Sequence, residues 1–330
     1  MPTGKFVLKR FGHGIAVIWA AVTVVFTLRF LTPGDPVTAL VPFDATQETR
    51  QQIIQELNLN EPVYVQYVDY LSQLVHFDLG YSYLSGIPVS VRIFNRIGPT
   101  VELGIAAIVI AIALSIPLGV LSALRRNSPI DYGATIFSLA GISIPNFWLG
   151  IMLILVFAVH YDLLPTSGRP VGVVAALELL LVEFDPSGLM TWLSHILLPA
   201  VTLGTYMTAM ITRLTRSELL DELGKAYVGV MEANGLPQTL ITFKHVLRNS
   251  LIPVITVIGL QMGHLINGAV VVEEVFAWPG VGRLLINSIN VRDWPMVQGV
   301  LIFVVIGWVT INTVVDLTYA VIDPRITIEE

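Results

Sequence analysis

The sequence predicts an all-α membrane protein with six transmembrane helices, on three observations. Hydrophobic residues fill 54% of the 330 positions and charged residues only 13%, about half the charge of an average soluble chain. Mean hydropathy is +0.75. The apolar residues gather into several windows long enough to cross ~30 Å of hydrocarbon, more than a single buried core helix accounts for.

Taken in order, the spans are expected at 11–31, 101–124, 132–159, 193–211, 252–272 and 297–322. The first follows Lys5, Lys9 and Arg10, as a signal peptide does. It is too long for one, and Leu28-Arg29-Phe30-Leu31-Thr32-Pro33 offers no small-x-small cleavage site, so it reads as an uncleaved span. Pro145 is expected to kink the third span. Lysine and arginine cluster in alternate short flanks: Lys5, Lys9 and Arg10, then Arg125 and Arg126, then Arg213, Arg216, Lys225, Lys244 and Arg248. That bias sets these flanks, and with six spans both termini, in the cytoplasm.

Between the first two spans the stretch 33–99 is too long for a turn. Tyr64, Tyr67, Val68, Leu71, Leu74 and Val75 recur at helical intervals, so a small helical extracytoplasmic domain is expected there. Pro33-Gly34-Asp35-Pro36 and Asp78-Leu79-Gly80 punctuate it as turns. The chain thus divides into an N-terminal region, 1–99, and a helical body, 100–330.

Composition excludes several chemistries. Cysteine is absent, which removes disulfides, thiolate metal sites and cysteine nucleophiles. His13, His76, His160, His195, His245 and His264 form no HxxxH pair, so no metal site is expected. The net charge of -6 is dispersed, and no nucleic-acid partner is implied. None of Lys5, Lys9, Lys225 and Lys244 stands in a GxxxxGK[ST] phosphate loop, so the chain has no such ATP site of its own. Gly141-Ile142-Ser143-Ile144-Pro145 lacks the second glycine of a serine hydrolase elbow.

The most informative segment is 213–250, between the fourth and fifth spans. Loops of that length without a role are uncommon in compact domains. Helix is expected over 217–232, a break at Asn234-Gly235-Leu236-Pro237, and a second helix over about 238–249. Two helices at an angle make a rigid cytosolic knob.

Here the sequence resembles a family. Tyr227-Val228, Gly235-Leu236 and the run from His245 through Arg248 to Pro253 are similar to the coupling loop of dipeptide and oligopeptide ABC importer permeases. The resemblance continues through Ser143-Ile144-Pro145-Asn146-Phe147-Trp148, Leu198-Pro199-Ala200, Val275-Phe276-Ala277-Trp278-Pro279-Gly280 and Asp323-Pro324-Arg325. It implies the type I ABC importer permease fold for 100–330, with Tyr227, Glu232, Ala233, Gly235, Leu236, Pro237, His245 and Arg248 in the loop that couples to an ATPase. It also implies a second, homologous permease subunit, two cytoplasmic ATPase subunits that carry ATP and Mg, an extracytoplasmic substrate-binding protein and a prokaryotic plasma membrane. No cofactor is implied on this chain. The wider importer motif has Glu-Ala-Ala where this chain has Gly229-Val230-Met231.

In the fifth span Gln261, His264 and Asn267 fall within about 120 degrees of one helix face. Two readings stay open, a lining for the translocation path or hydrogen bonding between helices. Gly259 and Gly263 allow close helix approach. Asp316 in the last span reads first as an interfacial or pairing group. Glu273 and Glu274 read as a solvated helix end, and Trp278 as an interfacial anchor. The resemblance adds Trp278, Pro279 and Gly280 as part of an external gate. Composition alone also admits an ion-coupled secondary transporter, and similar permeases carry nickel complexes, glutathione or sugars. Peptide is the substrate that these motifs favour.

Overall fold

The computed structural model describes residues 4–31, 47–48, 51, 55 and 60–322; the expected turn at Pro33-Gly34-Asp35-Pro36 lies outside them. Nearly every described element is helical: α1 (Gly4–Leu31), α2 (Val63–Val75), α3 (Val89–Leu124), α4 (Pro129–Ser143), α5 (Asn146–Leu153), α6 (Val173–Val182), α7 (Ser187–Leu223), α8 (Ala226–Ala233), α9 (Gln238–Leu240), α10 (Leu247–Val275), α11 (Val281–Asn290) and α12 (Trp294–Ile322). Five helical stretches are long and apolar enough to cross a membrane, and the bent pair α4–α5 makes up to six.

That pair covers the span expected at 132–159, and the kink expected at Pro145 is a sharp bend. The two halves meet at 111°. Proline has no N–H for the helix ladder and pushes the preceding residue out of the helical region. Ile144 accordingly sits extended at φ -80, ψ 126, and the helix restarts at Asn146. Beyond α5 the helix continues as a wider π-helical stretch, Ile154–His160. The other spans are longer than expected, α3 beginning at Val89 and α7 running on to Leu223.

Contacts group the chain into two units, residues 1–100 with 279–330, and residues 101–278. In the first unit α1 runs along α12, and a β-carbon on Gly14 would stand 3.0 Å from Val309. The amphipathic α2 rests on the end of α1 through aromatic rings: Phe26 lies 5.2 Å from Tyr67 and 5.6 Å from Tyr70, and the Thr23 and Tyr67 hydroxyls bond at 2.7 Å. The following loop is held by Asp293, which accepts from the Ser82 hydroxyl and the Tyr83 N–H. Val89, Ile93, Val281, Leu284, Met296 and Val300 form this unit's core. Gly299 is required there, because a β-carbon would fall 2.4 Å from Val89.

The second unit is organised around α7. Its core joins Leu103, Ala107 and Ala111 of α3 to Leu203, Met207 and Ile211 of α7 and to Val254, Leu265 and Val272 of α10. Small residues set the helix separations, as in membrane bundles generally. A β-carbon on Gly204 would stand 2.8 Å from the Ala107 carbonyl, and one on Gly141 2.8 Å from Ala209.

Candidate functional site

The segment expected to form a knob begins where α7 stops at Leu223. The helix predicted over 217–232 is interrupted at Gly224 and Lys225, so its first part belongs to α7 and only Ala226–Ala233 forms a separate helix, α8. The second break falls at Asn234–Pro237 as expected. Gly235 takes φ 75, its N–H bonds the Glu232 carbonyl at 2.9 Å, and the Leu236 N–H reaches the Met231 carbonyl at 3.2 Å. This is the glycine-capped helix end that satisfies terminal carbonyls, and a side chain at Gly235 meets a left-handed backbone. The Gln238 amide then donates to Glu232 at 2.6 Å, bracing the break from outside.

An apolar floor fixes the knob to the bundle: Val228 and Ile241 pack with Val120, Ala123, Leu219 and Val246, and Tyr227, Met231 and Leu236 cover them. Its polar root is Glu222. The buried carboxylate takes an ion pair from Lys225, a hydrogen bond from the Tyr227 hydroxyl at 2.9 Å and one from the Asn249 amide at 3.1 Å. Burial and then the bond to Glu222 push the Tyr227 hydroxyl pKa up, while the bond to Glu222 raises that of Lys225. Both groups therefore hold their protons at neutral pH.

Of the residues proposed for coupling, Glu232, Ala233, Gly235, Pro237 and Arg248 are exposed, and Tyr227, Leu236 and His245 are half-buried. Tyr227, His245 and Arg248 come together with Met231, Lys244 and Asn249 around a cleft of about 280 Å³. The cleft is basic. Its floor includes the π-helical turn Ile241–Val246, a distortion of the helical ladder that often marks functional positions.

In the bundle itself Gln261 is buried and its amide meets the Met210 sulfur on α7, so this side chain faces protein. His264 and Asn267 lie on the same helix, but their side chains are outside the described residues, as is that of Asp316.

At the other end of α7 the structure corrects two expectations. Trp278 is no interfacial anchor, being fully buried, and Glu273 is no solvated helix end, being equally buried; Glu274 alone is exposed. The tryptophan is buried here because the 161–172 loop folds over it. Gly168 N–H bonds the Phe276 carbonyl at 2.9 Å, and the Arg169 guanidinium lies 5.9 Å above the Trp278 ring. Arg169 is itself held by Glu102, whose carboxylate accepts from its Nε at 3.1 Å and from its Nη2, and also from the Trp192 indole N–H. In the first unit, Pro279 O accepts from Arg96 at 3.2 Å and the Val281 N–H caps on Thr100 at 2.8 Å.

Sequence reasoning missed Glu102, Arg169, Glu222 and a third buried acid, Asp131. Asp131 is bonded by Arg216 through Nε at 2.6 Å and Nη2 at 2.8 Å, and by Ser122 at 2.6 Å. Glu102 and Asp131 are charges inside or beside an apolar run, the signal that flags a functional or pairing role in a membrane, whereas Glu222 stands among Glu218, Asp221 and Lys225 and carries no such signal. Among the described residues no cluster of three metal-ligating side chains occurs.

Residues 115–328 match the family described as binding-protein-dependent transport system inner membrane component, and residues 3–104 match the N-terminal region of such membrane components. The chain is 38% identical over 333 residues to the dipeptide transport system permease protein DppB of Escherichia coli (strain K12), covering 98% of each. It is 38% identical over 322 residues to the oligopeptide transport system permease protein AppB of Bacillus subtilis (strain 168), covering 97% of this chain and 98% of the relative. It is 40% identical over 329 residues to the probable D,D-dipeptide transport system permease protein DdpB of E. coli (strain K12), covering 97% of each.

Proposed function

The chain belongs to the family of binding-protein-dependent transport system inner membrane components, and on that premise we propose that it is the permease subunit of an ATP-driven importer of di- and oligopeptides. The observation that carries the coupling half of this reading is the knob. A rigid helical projection, rooted on Glu222 and edged by a basic cleft, offers a partner one firm body to push. Two cytoplasmic ATPase subunits, which hold ATP and Mg, engage it through Tyr227, Glu232, Ala233, Gly235, Leu236, Pro237, His245 and Arg248.

The permease body, 100–330, pairs with a second homologous permease subunit, and the path runs between them past Gln261, His264 and Asn267. Gln261 is buried against the Met210 sulfur of α7 in the single chain, so its part beside the path is to pair two helices. A binding protein delivers peptide from outside, where Trp278, Pro279 and Gly280 lie beside the external gate and the region before residue 100 forms a cap. Both termini are cytoplasmic.

The test is uptake of a labelled dipeptide by proteoliposomes holding the purified complex with its binding protein. Gly235→Ala forces a side chain into a left-handed backbone at a cost of roughly 1–2 kcal/mol and shifts the tip of the knob. Uptake is expected to fall about tenfold while ATP hydrolysis persists. Undiminished uptake contradicts the coupling assignment, and uptake driven by an ion gradient without ATPase subunits contradicts the transporter class.

A further inference from the structure

In the first unit a cleft of about 390 Å³ opens between the first turns of α3 and α11, and none of the proposed roles uses it. Val89 and Ile93 of α3 and Val281 and Leu284 of α11 pack inward as the core of that unit. Residues four apart on a helix share a face. Arg92 and Arg96 therefore form one polar stripe and Arg283 and Asn287 another, and both stripes line the cleft. Leu84 and Val291 border it with exposed aliphatic side chains.

Three guanidiniums share the lining with one carboxylate, that of Asp293. Asp293 is buried, and its two oxygens accept from the Ser82 hydroxyl and the Tyr83 N–H, so it ties down the loop before α3. Arg92 and Arg96 are half-buried, and each gives one N–H to a neutral oxygen, Ser85 Oγ at 3.1 Å and the Pro279 carbonyl at 3.2 Å. Neither has a carboxylate partner among the described residues. Like charges one helical turn apart repel, and an anion shared between them removes that repulsion. A guanidinium matches a carboxylate through two parallel N–H bonds. The exposed Asn287 amide can both donate to and accept from a peptide group.

We infer that this cleft receives the C-terminal residue of a free peptide, with its carboxylate on Arg92 and Arg96, its amide on Asn287 and its side chain against Leu84 and Val291. The inference rests on the proposed function, which sets this end of α3 outside, where peptide is delivered. Depth selects a solute over a lipid. The apolar span of α3 is expected to begin at residue 101, and at ~1.5 Å per residue Arg96 and Arg92 stand roughly 7 Å and 13 Å beyond it. The headgroup layer is only roughly 5–7 Å deep, so Arg92 projects past the phosphates into water. The volume suits a small ligand, whose sites start at about 300 Å³. Every linear peptide ends in a carboxylate, so such contacts serve peptides that differ in side chains.

The test is equilibrium binding of radiolabelled alanyl-leucine to the purified complex, without its binding protein, in phosphatidylcholine nanodiscs. Unlabelled alanyl-leucine should compete about tenfold better than its C-terminal amide. Arg92→Gln and Arg96→Gln should each weaken binding about tenfold, Arg92→Lys should retain part of it, and Asn287→Leu should weaken it severalfold. Circular dichroism shows whether each variant is folded. Absence of saturable binding, equal competition by acid and amide, or unchanged binding in folded Arg92→Gln with Arg96→Gln overturns the site. Displacement by phosphatidylglycerol added to the discs overturns the peptide as occupant in favour of a lipid phosphate. Unchanged peptide binding with weaker docking of the binding protein in Arg92→Gln overturns it in favour of a protein acid. Dipeptide uptake by the same complex reads the proposed function separately: uptake without preference for acid over amide defeats this site alone, whereas absence of uptake defeats its premise.

Discussion

Glu102 and Glu222 are both buried acids of the same helical unit, bonded near the two ends of α7, yet their partners lie at very different distances along the chain. Glu222 is met by Lys225, Tyr227 and Asn249, which are 3, 5 and 27 positions away. Glu102 is met by Arg169, Val173 and Trp192, which are 67, 71 and 90 positions away. A carboxylate with near neighbours stiffens one piece of chain, here the knob. A carboxylate with distant neighbours ties separate elements together, here α3, the 161–172 loop and α7, and through Arg169 it clamps Trp278. One end of the unit is tied within a short piece of chain and the other across separate elements.

The sharpest way to break this contrast is Arg169→Ala. It leaves Glu102 buried with its charge uncompensated, a change that costs roughly 3–5 kcal/mol in buried ion pairs. The midpoint of thermal unfolding in detergent should drop by several degrees, and Trp278 fluorescence should shift toward that of a solvated indole before the global transition. Replacing both partners with apolar residues, Glu102→Leu with Arg169→Met, should recover most of the loss. If Arg169→Ala unfolds like the wild type, the distant contacts of Glu102 are not a clamp.

Glu222→Gln should act on the other member of the pair more weakly. The Lys225 side chain is 58% exposed, so solvent screens its ion pair, and such contacts contribute little. The amide can still accept from Tyr227 or Asn249. A loss of about 1 kcal/mol is expected, confined to the knob. Trypsin cleavage after Lys225 and Lys244 should rise severalfold with little change in the global midpoint. A global midpoint falling as far as in Arg169→Ala would erase the distinction between local and long-range ties.

The contrast also explains what was legible in the sequence. Spans and their flanking charges are one-dimensional signals, and so is the Asn234-Gly235-Leu236-Pro237 break, because glycine and proline act on their own backbone. The α4–α5 bend was half legible: Pro145 announced an interruption, but a 111° turn depends on what the second half packs against. The burial of Trp278 and Glu273 was illegible. An indole beside Pro279 at the end of an apolar run reads as an interfacial anchor, and only a loop more than 100 residues upstream in the chain covers it. The partners of Glu102 and Asp131 are hidden for the same reason, whereas those of Glu222 lie largely within the knob's own sequence.

Gly229 offers the smallest and cleanest perturbation of the local side. It sits mid-way along α8, at the place where the wider importer motif puts glutamate, and a β-carbon there would meet nothing within 4 Å. Its φ is not in the left-handed region, since Gly235 is the only glycine of the knob with positive φ. Glycine inside a helix costs roughly 0.5–1 kcal/mol relative to alanine. Gly229→Ala should therefore stabilise α8 by about that amount, slow tryptic cleavage of the knob and leave the Trp278 fluorescence untouched. Faster cleavage would mean that the glycine serves a bend in α8 rather than merely tolerating one, and a change at Trp278 would mean that the two ends of α7 are not separately held.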